Sequence, residues 1–251
     1  MDSAKIGLLT TLLLGIFILI GALLAFLIKK KEKVTDFSIG LAFGVLLMLS
    51  IIDLLPEIIE QLGLKYIYIF IICTILGYCI LKGLDKLIPD HEDEKVTKKE
   101  KKNNLIHIGI VTSLAFILHN IIEAMAIYST VITNTNTGLA LTLGIGFHNI
   151  PMGMVIASTF HQSNQNIWKT TLIIACVSLS TFIGGLIMFF LNLTSVSELV
   201  LGTLLSITLG MIIYIIIHEL YPRLKDTKNK KISYIGIAVG VIILLISTLI
   251  H

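Results

Sequence analysis

Read from its N-terminus, the chain is a series of long apolar runs broken by short polar or charged stretches. Eight runs are long enough to cross a bilayer, since about 20 apolar residues span a roughly 30 Å hydrocarbon core. They cover residues 6–28, 37–59, 65–82, 105–128, 138–160, 168–193, 198–219 and 232–250. In hydrocarbon a backbone amide must find its partner within its own segment or in a closed barrel, so runs of this length predict helices. The pattern predicts an all-α polytopic membrane protein with eight transmembrane helices in a single domain over 1–251. A signal peptide does not fit the first run, which is too long and has no small-residue cleavage site after it. Residues 83–104 (GLDKLIPDHEDEKVTKKEKKNN) are densely charged and have little to bury, which predicts a loop. Its His91 reads as part of a solvated charge run.

Composition agrees. Of 251 residues, 14% are charged, against about 25% in a soluble domain. The net charge of +3 is small, but its placement is informative. The connections 29–36, 82–104, 161–169 and 223–231 hold 17 of the 19 Lys and Arg residues, leaving Lys5 and Lys65 for the other side. By the positive-inside rule those connections face the cytoplasm and both termini lie outside, in a multi-pass plasma-membrane protein. Topology thus accounts for the basic runs, with no nucleic acid as partner. Cys73, Cys79 and Cys176 fall inside apolar runs without metal-binding spacing and read as small core hydrophobes.

The runs also repeat one another. The second holds Gly44, Asp53 and Pro56; the seventh holds Gly210, Glu219 and Pro222, at identical spacings. The fourth and fifth match as His119 on His148, Asn120 on Asn149, Met125 on Met154 and Ile127 on Ile156. Each match pairs an even-numbered run with an odd-numbered one, so the paired helices cross in opposite senses. The simplest plan is a 3+2+3 inverted repeat, in which helices 1–3 mirror 6–8 around a central pair.

The central pair carries the candidate chemistry. Imidazole, amide and carboxylate at bilayer depth cost several kcal/mol apiece (order of magnitude) unless paired, bound or wetted. His119 and Glu123 are one helical turn apart and share a face, as do His148 and Met152. Asn120 and Asn149 lie about 100° round from the histidines. Facing helices would bring together two imidazoles, a carboxylate and a thioether, a set suited to zinc and related divalent ions. Pro151 has no N–H for the Phe147 carbonyl, which frees that oxygen in the same region. Asp53 and Glu57 sit towards one end of the second run, His218 and Glu219 towards the other end of the seventh, as candidate linings of a path. His107 and His161, near the cytoplasmic ends of their runs, read as solvated.

At these residues the chain resembles the Zrt/Irt-like (ZIP) family of divalent-metal transporters, its short prokaryotic branch in particular. The family's HNxPEG motif is matched by His119-Asn120-Ile121-Ile122-Glu123-Ala124 and by His148-Asn149-Ile150-Pro151-Met152-Gly153. Asp53 to Glu57 (DLLPE) and His218 to Pro222 (HELYP) also look like family signatures. The resemblance spans nearly the whole chain and implies carriage of zinc or a related ion towards the cytoplasm. It further implies a binuclear centre, with His119, Glu123, His148 and position 152 at the primary site and Asn120 and Asn149 at the second. Three departures bear on that expectation. Met152 stands where the family has glutamate, the stretch Ser178 to Gly184 in run six is uncharged, and Ile122 replaces the first motif's proline. With one acid left, two adjacent divalent ions would be poorly neutralised, so a single mononuclear site at the midplane is expected. Met152 reads equally as a soft ligand or as filler.

Two other readings use the same residues. A membrane-embedded zinc metallohydrolase would hold water on the His/Glu set, but there is no HExxH and no separate general base. A metal sensor would bind without transporting. The transporter reading needs the metal ion as substrate, no organic cofactor and no enzymatic activity. Its partners are metal ions and the lipid bilayer, with a homodimer left open.

Overall fold

A computed structural model describes residues 3–27, 31–87, 98–163 and 165–249. Among them no strand is formed, and eight helices are long and apolar enough to cross a membrane. We number these α1 Ser3–Leu27, α2 Lys33–Leu62, α3 Ile67–Leu87, α4 Lys98–Thr133, α5 Thr135–Gln162, α6 Ile167–Phe190, α7 Glu198–Asp226 and α8 Lys230–Leu249. Their burial orders the bundle. Two-thirds of the α5 window (67%) is buried against 11% for α3 and 28% for α8, so α5 lies at the centre and α3 and α8 at the rim. The rim helices turn Ile71, Ile72, Ile75, Ile235, Ile242 and Ile246 outward, as lipid-facing surfaces require. Helix α3 runs on to Leu87 and α4 starts at Lys98, so both ends of the segment 83–104 are helical where a loop is expected. His91 lies outside the described residues.

The inverted repeat is visible in the packing. Small residues let membrane helices approach closely, because apolar side chains gain little by leaving lipid. A Cβ on Gly21 of α1 would meet the Ile150 carbonyl of α5 at 1.9 Å, and one on Gly184 of α6 would meet the Ile121 carbonyl of α4 at 2.3 Å. Ile121 and Ile150 follow Asn120 and Asn149, so these are one contact made twice. Gly210 of α7 abuts the Thr74 carbonyl of α3, and Gly44 of α2 abuts Ile237 of α8. Gly77 against Ile207 is repeated as Gly240 against Leu41. On the axis relating the halves, Gly15 of α1 abuts its own counterpart, Ser178 of α6, whose hydroxyl donates to the Gly15 carbonyl at 2.8 Å. Apart from Ser178 and the rim contacts on Ile207 and Leu41, most of these positions are glycines in both halves, for a reason of backbone geometry.

Two π-helical turns share the symmetry. They cover Leu49–Leu54 in α2 and Ile215–Leu220 in α7. Each closes with a residue reaching back five positions, Leu55 N–H to the Ser50 carbonyl and Tyr221 N–H to the Ile216 carbonyl. Pro56 and Pro222 follow directly, and neither can bond the carbonyl four residues back, so the ladder is already broken where the wider turn forms. Asp53 and Glu219 occupy the fifth position of their turns. Turns of this kind are frequent at functional sites.

Eight alternating crossings place Ser3 and Leu249 at one end of the bundle, called here the termini end.

Candidate metal centre

The site is built on the α4–α5 contact. Both helices are long and uninterrupted, and α5 passes through Pro151 without a break. Asn134 starts α5 by accepting the Thr137 N–H at 3.2 Å on its side chain, a standard N-cap that keeps the connection to one residue. This tight connection fixes the register that sets His119 opposite His148.

The structure brings His119, Glu123 and His148 together. His148 Nε2 donates to Glu123 Oε1 at 2.9 Å, and His119 Nε2 lies 3.5 Å from the same oxygen. The imidazole centroids are 6.5 Å apart. One ligand atom from each residue fits within 4.8 Å of the other two, and all three side chains are buried. Several buried polar atoms of these residues and of the neighbouring asparagines have no hydrogen-bond partner among the described residues: both nitrogens of His119, Glu123 Oε2, Asn120 Oδ1 and both amide atoms of Asn149. Leaving such groups unsatisfied in a buried site costs about 1–3 kcal/mol each. A carboxylate and two imidazoles with free lone pairs can satisfy that deficit together by ligating one divalent cation.

The remaining predicted residues divide. Asn120 is fully buried, but its amide nitrogen donates to the Val177 carbonyl at 3.1 Å and Ser180 Oγ at 3.2 Å, tying α4 to α6. Met152 is buried in the main apolar core, one turn beyond His148. Asp53 borders the same space as the cluster. It lines a cavity of about 400 Å³ with Glu57, Glu60, His119, Glu123 and Thr130. That cavity reaches from the cluster to the last turns of α2 and α4, so the site lies at its base, with Glu123 about 10 Å and His119 about 16 Å below Thr130 at 1.5 Å per residue.

The far side of the cluster carries a second set of polar side chains. The His218 ring stacks on Tyr214 at 4.6 Å, and its Nε2 is hydrogen-bonded to the Tyr78 hydroxyl at 2.6 Å. Glu219 is buried and forms a second group with Asp85 and His107, again with ligand atoms within 4.8 Å. Within it His107 Nε2 donates to Asp85 Oδ1 at 2.6 Å and the Tyr214 hydroxyl to Asp85 Oδ2 at 2.5 Å. His107, expected to be solvated, is therefore buried and paired, because α3 extends far enough to bring Asp85 over it. His161 is half-buried with its ring edge-on to Phe26 at 5.5 Å. Sequence reading missed Asp85, Tyr78, Tyr214 and the role of His107. Asp85 sat in a stretch read as loop, and the tyrosines looked like ordinary apolar-run residues.

A family model described as ZIP Zinc transporter matches residues 82–248. Among curated proteins, "Zinc transporter ZupT" of Chlorobaculum parvum is 27% identical over 263 residues, covering 99% of this chain and 98% of its own. The protein of the same name from Salmonella newport is 28% identical over 254 residues, covering 98% and 97%.

Proposed function

The chain belongs to the ZIP zinc transporter family, and on that premise we propose that it carries zinc through a single site made by His119, Glu123 and His148. The observation that carries the proposal is the convergence of these three buried side chains, with unsatisfied lone pairs, at the base of an acid-lined cavity. The positive-inside charge pattern supports an arrangement in which the termini end is extracytoplasmic and the other end faces the cytoplasm. In that orientation an ion enters past Glu60, Glu57 and Asp53, whose charges concentrate cations at the mouth. It then displaces the proton that His148 shares with Glu123, binds between α4 and α5, and leaves towards Glu219 and His218. The Asp85–His107–Glu219 group is a stopping point on that exit.

One ion rather than two is favoured by the fate of the second-site residues. Met152 is neutral and packed in the core, and the facing stretch of α6 offers only Ser178, Ser180 and Thr181, so no second acid stands beside Glu123. Asn120 Oδ1 and both amide atoms of Asn149 are buried without a hydrogen-bond partner among the described residues, which supports either amide oxygen as a further ligand. The cell membrane is the proposed location.

Zinc uptake into proteoliposomes tests this reading, with the wild-type chain beside His119→Ala and Glu123→Ala. The expected result is saturable uptake lost in both variants. Uptake surviving either change places the site elsewhere. Zinc bound without flux in the wild type favours a sensor.

A further inference from the structure

The repeat that makes the two halves alike in backbone leaves them opposite in charge at one pair of positions. Superposing Gly44, Asp53 and Pro56 on Gly210, Glu219 and Pro222 places Glu57 of α2 on Arg223 of α7. The α4–α5 match places Thr130 on Thr159 in the same way, and Ala126 on Val155. The paired threonines behave alike towards their own helices: Thr130 Oγ1 donates to the Ala126 carbonyl at 3.0 Å and Thr159 Oγ1 to the Val155 carbonyl at 2.7 Å. Around them the halves differ. At the termini end Glu57, Ala126 and Thr130 all face the open cavity. At the opposite end Arg223 Nη1 donates to Thr159 Oγ1 at 3.3 Å, joining α7 to α5 across the equivalent seam, and Val155 is buried at 2% exposure. The second guanidinium nitrogen, Nη2, is buried without a hydrogen bond among the described residues. Glu219 stands four residues before Arg223, within electrostatic reach of it.

We infer that Arg223 is the gate residue of the exit: its bond to Thr159 holds the seam below the metal site shut while the mirror seam is open. A guanidinium suits this role for two reasons. It keeps its charge at any physiological pH, so it repels a divalent ion as long as it lies in the path. It also has donors to spare, so on opening it can leave a neutral threonine hydroxyl for the Glu219 carboxylate, a stronger partner. The exchange clears the seam and leaves Glu219 partly neutralised, which weakens its hold on the departing cation. The mirror position needs the reverse, an acid that draws cations in, and Glu57 provides it.

This inference rests on the exit direction proposed above, and its test reads gating without reference to metal. Val155→Cys is placed in a background with Cys73, Cys79 and Cys176 replaced by Ser, and labelling by a membrane-impermeant thiol reagent is followed from each face of sealed vesicles. With Arg223 intact, labelling from the Arg223 face is expected to be slow; Arg223→Gln should speed it about tenfold. Thr159→Val should do the same, and the double change should add nothing further. Arg223→Lys should restore part of the closure. Labelling that stays slow in Arg223→Gln overturns the gate, and so does acceleration in Arg223→Gln that Thr159→Val fails to reproduce. Zinc bound per chain, measured on each variant, checks that the fold and the centre are intact. Absence of zinc uptake by the wild type, with the labelling pattern as expected, counts against the transport reading instead.

Discussion

The two ends of this bundle are built from one backbone plan and do different things with it. At the termini end the π turn of α2 carries Asp53 beside an open cavity whose other acids are Glu57, Glu60 and, at its base, Glu123. At the opposite end the π turn of α7 carries Glu219 beside the Asp85–His107 pair, with Tyr78, Tyr214 and His218 packed on one another and Arg223 bonded to Thr159. The comparison teaches that the fold supplies symmetry in the helices and glycines, while a handful of side chains decide which seam is open. It also gives the centre a direction. The His119–Glu123–His148 group borders the acid-lined cavity at the termini end through His119 and Glu123.

The comparison can be broken most severely at the centre the two halves share. Glu123→Gln keeps the shape of the site and removes its charge, so zinc affinity should fall about 100-fold or more, as for a lost anionic ligand. Isothermal titration on purified protein reads this directly. Next in size is damage to the shared backbone. Gly184→Leu would drive a side chain into the Ile121 carbonyl, where even a Cβ comes to 2.3 Å. Overpacking of this kind costs about 1–3 kcal/mol, and Gly21→Leu should cost a similar amount at the mirror contact with Ile150. Thermal unfolding in detergent should fall in both variants and not in a control at Gly83, where a Cβ meets nothing.

Proton competition is a smaller effect. Zinc must displace the proton between His148 and Glu123, so affinity should weaken as pH falls, about tenfold per unit for one proton released. The sign is fixed: acid favours the protonated, metal-free centre and alkali the loaded one. Uptake KM should follow it between about pH 5.5 and 7.5, roughly the range of imidazole titration. Charge recruitment at the open mouth is smaller still. Glu57→Gln with Glu60→Gln should raise KM by about tenfold or less at low salt and lose most of that effect near 0.15 M, while the maximal rate is unchanged. The equivalent neutralisation at the closed end should leave KM alone.

Much of this was legible in the sequence, for reasons that particular residues make plain. Spanning helices announce themselves because hydrocarbon admits no unpaired backbone and few charges. The repeat was legible because Gly44 and Gly210, or Pro56 and Pro222, are fixed by geometry that both halves share. His119, Glu123 and His148 stood out because such groups are costly at that depth. What could not be read was contact between distant segments. Asp85 reaches His107 and Tyr214 only after α3 continues beyond the apolar run, and nothing in the local pattern marks that continuation. The bonds of the Asn120 amide nitrogen to Ser180 and the Val177 carbonyl on α6 were equally invisible, and they leave its Oδ1 unpartnered among the described residues. The π turns left a trace in the matched prolines, but their five-residue reach depends on the register of the next helix segment. Arg223 passed as one more positive-inside residue because its partner Thr159 is 64 positions away.

The number of zinc ions bound tightly per chain tests the account's central claim most directly. Equilibrium dialysis of the purified wild-type protein, beside Glu123→Gln and Met152→Glu, provides it. The account predicts one ion for the wild type, none for Glu123→Gln at the same free zinc, and a second ion gained when Met152→Glu restores an acid to α5. Two tightly bound ions in the wild type, or one that survives Glu123→Gln, would contradict a single centre held by His119, Glu123 and His148.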